Sequence, residues 1–189
     1  EYLKTIEVID KKEVVIFQTN EQKVLLQTAK DYSEEVNDPR WSMYISFALE
    51  TGARAGEIAG LQWKHIDLDA NSIDIKQSMC YARGANQGVL KSPKTKAGIR
   101  EIYIIDEVVN EIKAYKAWLS EYFLKFGNKI TPDSPFIVSS DLSPLSEGAP
   151  RSRWATIIKR SGLPYRSFHT LRHTHASNLI ACDINFKIL

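Results

Sequence analysis

Arg54, His169 and Arg172 are the residues whose types and spacing could do chemistry, and the chemistry they suit is work on a phosphate. In the stretch Thr51 to Asp67 (TGARAGEIAGLQWKHID), Gly52 is suited to end one helix in a left-handed conformation, while Ile58 and Leu61 bury one side of the next turn. Arg54 is thereby left at the mouth of a short helix. The competing reading of Arg54 is a surface pair with Glu57 at i+3, worth a few tenths of a kcal/mol. In HTLRH, His169 and Arg172 are three apart, so at a helix start both point to one side, where free NH groups and the helix dipole favour an anion. His169, His173 and His175 could instead be satisfied core residues. The i,i+4 spacing of His169 and His173 raises zinc, but no glutamate stands between them and no cysteine or carboxylate completes the set, so no metal is assigned.

The elements that must position these residues follow from periodicity and breakers. Thr19 and Gln22 form a capping box ahead of a helix running to about Glu35. A turn at residues 37–40 precedes a helix through Trp41, Tyr44, Ile45, Ala48 and Leu49 that stops at Gly52. Residues 63–68 and 72–76 flank a DANS turn and predict a β-hairpin. A second hairpin is predicted from 89–92 and 99–104, lifting Lys94 and Lys96 onto an exposed tip. Asp106 caps an amphipathic helix that stops at Gly127, and its aromatic stripe belongs to the core. A loop from Asn128 to Pro150 holds one brief strand, Pro150 opens a helix reaching Arg160, and the last helix begins near Thr170 with Leu171, Ala176, Leu179 and Ile180 available for burial. Residues 1–18 alternate charge with apolar groups and read as a linker or edge strand.

The charges are sorted into blocks. Residues 75–100 carry six bases and no acid, and residues 148–182 carry six more, again with no acid. Residues 1–50 hold ten acids against six bases, and 101–147 eight acids against four. That sorting predicts a basic surface with an acidic back, the footprint of a protein that binds a polyanion. The 189 residues suit one domain with a substantial core, no run of about 18 apolar residues suggests a membrane span, and two isolated cysteines suit a reducing cytoplasm. A metal-dependent nuclease is disfavoured, since the acids fall outside the basic blocks.

Three motifs in order, TGARAGE with Arg54, PKTKAGIR with a lysine on a hairpin, and HTLRHT with His169 and Arg172, resemble the tyrosine recombinase (phage integrase) family from about Thr19 onward. The resemblance implies an α+β fold, mainly helical with a small antiparallel sheet, a catalytic domain over 19–189 clamped on double-stranded DNA, and site-specific recombination by metal-free, cofactor-free cleavage through a phosphotyrosine. It implies that Arg54 and Arg172 hold the non-bridging oxygens of the scissile phosphate, that His169 assists, and that Lys94 protonates the leaving 5′ oxygen, with Lys91 and Lys96 as rivals for that task. Glu57 is expected to be structural, and Lys91, Lys96, Arg100, Arg151 and Arg153 to contact DNA. The family pattern continues past HTLRH to a second histidine or tryptophan and a tyrosine nucleophile. Here the last tyrosine, Tyr165, precedes His169. The expectation is therefore a catalytic domain cut before its nucleophile, inactive by itself and a tetramer on DNA only when full length. A non-catalytic DNA-binding protein of the same fold is the alternative.

Overall fold

The computed structural model describes residues 15–82, 88–92, 98–146 and 148–182. Helix α1 (Thr19–Glu35) packs against α2 (Arg40–Thr51), which lies at the centre of the bundle. Nine of the twelve residues of α2 are buried, including Trp41, Tyr44, Ile45, Phe47, Ala48 and Leu49, so the helix is apolar on nearly every side. Each large side chain buried this fully contributes roughly 1.5–3 kcal/mol. The capping box of α1 stands one residue earlier than the sequence suggests: the Gln18 NH donates to Glu21 Oε2 at 2.8 Å. A carboxylate is the stronger acceptor. Gln22 instead donates to the Phe17 carbonyl (2.8 Å) and to Asn178 Oδ1 (3.2 Å).

Gly52 ends α2 with φ +60, its NH returning to the Ala48 carbonyl at 3.1 Å, as the sequence predicts. Helix α3 (Ala55–Gly60) follows, then a 3-10 turn at Trp63–His65 and the hairpin of β1 (Ile66–Asp67) and β2 (Ser72–Ile75), in register Ile66↔Ile73. Its turn is held by Asp67 Oδ1, which accepts from the Asp69 and Ala70 NH groups at 3.0 and 2.9 Å.

The second hairpin is not formed as predicted. Strand β4 (Val89–Lys91) pairs with β3 (Ser78–Cys80), whereas β5 (Arg100–Tyr103) pairs with β2, giving one sheet of order β1-β2-β5 and a separate β3-β4 pair. Glycines account for the docking of β3. A Cβ on Gly60 would stand 2.9 Å from the Met79 amide nitrogen and one on Gly56 2.9 Å from the Met79 carbonyl oxygen, so only α3's bare backbone admits that strand. Residues 93–97 of the expected tip, which include Lys94 and Lys96, lie outside the described residues.

Helix α4 (Asp106–Lys125) buries Val108, Val109, Ile112, Tyr115, Leu119 and Phe123. Asp106 does not serve as its cap; it accepts from Asn71 Nδ2 at 2.8 Å and ties the helix start to the hairpin turn. The brief strand expected in the following loop is not formed: isolated bridges pair Gln62 with Pro135 and Val138 with Pro144, and between them Phe136, Ile137 and Val138 are fully buried, with the Phe136 NH on the Leu61 carbonyl at 2.8 Å. Helix α5 (Gly148–Arg160) starts two residues before Pro150. Helix α6 (Thr170–Ala181) packs chiefly on α2; of the residues expected to be buried, Leu171 is, Ala176 and Leu179 are half-buried, and Ile180 is exposed. Thr174 Oγ1 accepts from the Phe17 NH at 3.0 Å and so also anchors the segment ahead of α1.

Candidate active site

Arg54 sits at the N-cap of α3 with extended backbone (φ −72, ψ 152), which turns its side chain outward before the helix begins. Glu57, one turn on, reaches back. Its Oε2 accepts from the Arg54 NH and its Oε1 from Arg54 Nη1, both at 2.9 Å. The same carboxylate takes two donors from β5: Arg100 Nη1 to Oε1 at 3.2 Å and Nη2 to Oε2 at 2.9 Å. Burial alone would raise the Glu57 pKa, but hydrogen bonds from Arg100 and from the Arg54 backbone outweigh it and hold the group below its usual 4.5. The side chain of Glu57 is 6% exposed and that of Arg54 54%, so the carboxylate is sunk in the protein while the guanidinium faces out.

Arg172 comes to this place from the other end of the chain. Its Nη1 donates to the Gly52 carbonyl at 2.6 Å, two residues before Arg54. One turn along α6, His175 Nδ1 lies 3.0 Å from the Leu49 carbonyl. A helix C-terminus leaves four carbonyls without intrahelical partners; here α6 side chains serve that of Leu49 and that of the Gly52 cap, and α2 and α6 are thereby locked end to side. The fit is close, since a Cβ on Gly52 would lie 2.6 Å from His175 Cδ2. Burial, then the charges of Arg54 and Arg100, push the Arg172 pKa down. Three guanidiniums with one carboxylate between them leave uncompensated positive charge, which an anion would relieve.

His169 is the N-cap residue of α6, its ring edge-to-face with His173 at 4.7 Å between centroids. Partial burial, then His173, Arg172 and Arg54, lower its pKa below 6.5, so near neutral pH the ring is uncharged and can give or take a proton. Beside it runs a groove of about 440 Å³ lined by Tyr44, Gly56, Met79, Tyr165 and Arg151 among others. Among the described residues no cluster of three or more His, Cys, Asp and Glu could hold a metal ion.

The remaining predicted residues are placed less uniformly. Lys91 is exposed on β4, and Arg151 is exposed at the start of α5 and lines the groove. Arg153 donates to the Tyr32 hydroxyl at 2.6 Å and stacks over Trp41. Arg100 is engaged by Glu57, and Lys94 and Lys96 lie outside the described residues. The basic block of 148–182 is partly neutralised by the acidic one: Arg160 pairs with Glu35 and Arg166 with Glu21. His175 was not singled out by sequence reasoning as a partner of the α2 terminus, and nothing local in the sequence signals it.

A model of the phage integrase family matches residues 16–189. The chain is 27% identical to a tyrosine recombinase XerC-like protein of Caldanaerobacter subterraneus subsp. tengcongensis, over 93% of this chain and 49% of that protein. It is 30% identical to the ICEBs1 integrase of Bacillus subtilis, over 72% of this chain and 36% of that one. The chain thus spans about half or less of the length of these relatives. Among solved structures, the Tn1549 transposon integrase in complex with circular intermediate DNA superposes with a TM-score of 0.72 at 20% identity, covering 95% of this chain and 58% of that one. XerA recombinase gives 0.67 at 20% identity over 92% and 53%. A helical bundle with small antiparallel sheets, matched over nearly its whole length by that family's pattern and sharing the fold of its solved members, identifies the chain as belonging to the phage integrase family.

Proposed function

We propose that this chain is most of the catalytic domain of a site-specific DNA recombinase of the integrase kind, which cleaves and rejoins duplex DNA without a metal ion through a phosphotyrosine whose tyrosine this chain does not carry. The observation that carries the proposal is the convergence at the Gly52 turn of Arg54, two residues beyond it, and Arg172, 120 residues beyond it, with excess positive charge. Two planar guanidinium forks match the non-bridging oxygens of a phosphate and the extra charge they gain in a pentavalent transition state. His169, uncharged near neutral pH, hydrogen-bonds or passes a proton at the same centre. Lys94 protonates the departing 5′ oxygen, a poor leaving group that needs an acid.

Lys91, Lys96, Arg100, Arg151 and Arg153 bring positive charge to the duplex backbone, Arg100 and Arg153 while also donating to Glu57 and Tyr32. The whole protein acts in the cytoplasm, as a tetramer on paired sites. No described helix is long and apolar enough to cross a membrane.

The test is a nicked duplex carrying the recombination site, incubated with the full-length protein that contains this chain. A covalent protein–DNA adduct is expected; specific binding with no adduct would favour a non-catalytic DNA-binding protein. The 189-residue chain alone should bind duplex DNA without forming an adduct, with a log–log salt slope of about −0.9 per phosphate neutralised. A flat salt response, or an adduct with the short chain, contradicts the proposal.

A further inference from the structure

Arg100 belongs by sequence to the bases expected to face DNA, yet its guanidinium is 21% exposed and both its Nη atoms point at Glu57. We propose that Arg100 is a positioning residue for Arg54, acting through Glu57: its fork occupies the carboxylate so that Arg54 remains available for phosphate. The inference rests on the recombinase reading above and assigns Arg100 a task within it.

The geometry is a matter of counting lone pairs. A carboxylate offers about four acceptor sites. Glu57 fills them with four donors, two from Arg100, one from the Arg54 NH and one from Arg54 Nη1. Arg54 therefore gives its own helix one side-chain bond, and its other guanidinium NH groups remain free to meet an anion. Without Arg100, Glu57 would have an open site on each oxygen at the position where a guanidinium fork fits best. Arg54, three residues away, would be the nearest fork to fill them, and a bidentate grip would draw it back against α3.

Charge gives the same result. Arg54 and Glu57 alone sum to zero, while with Arg100 the group carries one net positive charge beside Arg172. Strand pairing keeps Arg100 in place, because β5 holds it opposite Ile75, itself 1% exposed in the core. The fork thus has a rigid base, and Arg100 orients Arg54 through Glu57 without needing to touch the substrate.

A cycle of variants distinguishes this from a phosphate contact. In the full-length protein, Arg100→Gln should slow single-turnover cleavage of pre-bound DNA by roughly 10–100-fold, the cost of a misplaced group. In a Glu57→Gln background the same substitution should cost about twofold or less, because the partner it acts on is gone. In the 189-residue chain, Arg100→Gln should leave the salt slope of DNA binding unchanged. A slope reduced by about 0.9 would make Arg100 a phosphate ligand, and an equal cost in both backgrounds would show that it does not act through Glu57; either overturns the inference. Should Arg100→Gln fail to fold, Arg100→Lys, which keeps the charge and loses the fork, goes through the same two-background cleavage cycle with the same outcomes, and Arg100→Met takes its place in the slope measurement. Wild-type cleavage in that assay tests the recombinase reading separately, and the slope measurement needs no cleavage at all.

Discussion

The two arginines of the site are held in opposite ways. Arg54 at the start of α3 leans on a carboxylate three residues away, and Arg172 in α6 leans on a backbone carbonyl 120 residues away. The first arrangement is local: Glu57 would reach back to Arg54 in any helix that begins there. The second exists only when α6 has docked on α2. The electrostatics differ accordingly. Arg54 has a carboxylate as direct partner, whereas Arg172 has, among the described residues, a backbone carbonyl, and feels Arg54 and Arg100 more than the Glu57 charge that opposes them. Arg172 is thus the less compensated charge, and its placement reports on the tertiary fold. Arg54 is the more exposed one, and its placement reports on the Glu57 carboxylate.

The largest effect that sharpens this contrast comes from a group of a different kind. If the arginines stabilise charge and Lys94 donates a proton, then Lys94→Ala in the full-length protein should slow cleavage by roughly 10² or more, as a lost general acid does. It should be substantially restored on a 5′-phosphorothiolate substrate, because a thiol with a pKa of about 8.5 leaves without an acid. Arg54→Ala and Arg172→Ala should not be restored. Rescue of Lys91→Ala or Lys96→Ala in place of Lys94→Ala would move the acid along the segment.

Next in size is the hinge between the two anchors. Gly52→Ala puts a Cβ on a residue at φ +60 and drives it to 2.6 Å from His175 Cδ2. A loss of about 2 kcal/mol in urea unfolding is expected from the strained backbone and the clash together. Unchanged stability would mean that α6 is not locked to the α2 terminus as described.

The smallest effect is a pH dependence that separates the anchors. Glu57 has a folded pKa below its ordinary 4.5, so its contribution to stability is fully present above the unfolded value and is lost as pH falls through the folded one. The stability difference between wild type and Glu57→Gln, followed by chemical denaturation, should be constant near neutrality and shrink below about pH 4.5. For Arg172→Gln, which loses a carbonyl partner and no hydrogen-bonded carboxylate, it should stay much flatter. Equal acid dependence in both would erase the distinction.

What the sequence shows of this site divides along the same line. Local features were legible: the Gly52 stop, Arg54 at the mouth of α3 with Glu57 behind it, the β1-β2 turn and the start of α6 all depend on residues a few positions apart. Tertiary choices were not. The sequence gives no sign that β4 would pair with β3 rather than with β5, since strand partners are decided by which backbone can approach which surface, and β3 is the strand that Gly56 and Gly60 of α3 admit. Nor do blocks of charge along the chain translate directly into faces. Arg160 and Arg166 find Glu35 and Glu21 on α1, and Arg100 finds Glu57, so part of the basic excess is spent inside the protein.

Single-turnover strand cleavage by the full-length protein, comparing wild type with Arg54→Ala and Arg172→Ala on one DNA and measuring affinity alongside, tests the central claim most directly. Both substitutions should lower the cleavage rate by about 10² or more, the order expected when a preorganised charge is lost from a transition state, with much smaller changes in DNA affinity. Cleavage at the wild-type rate by either variant, or a loss of affinity that accounts for the whole effect, would contradict a site in which these two guanidiniums act on the phosphate undergoing reaction.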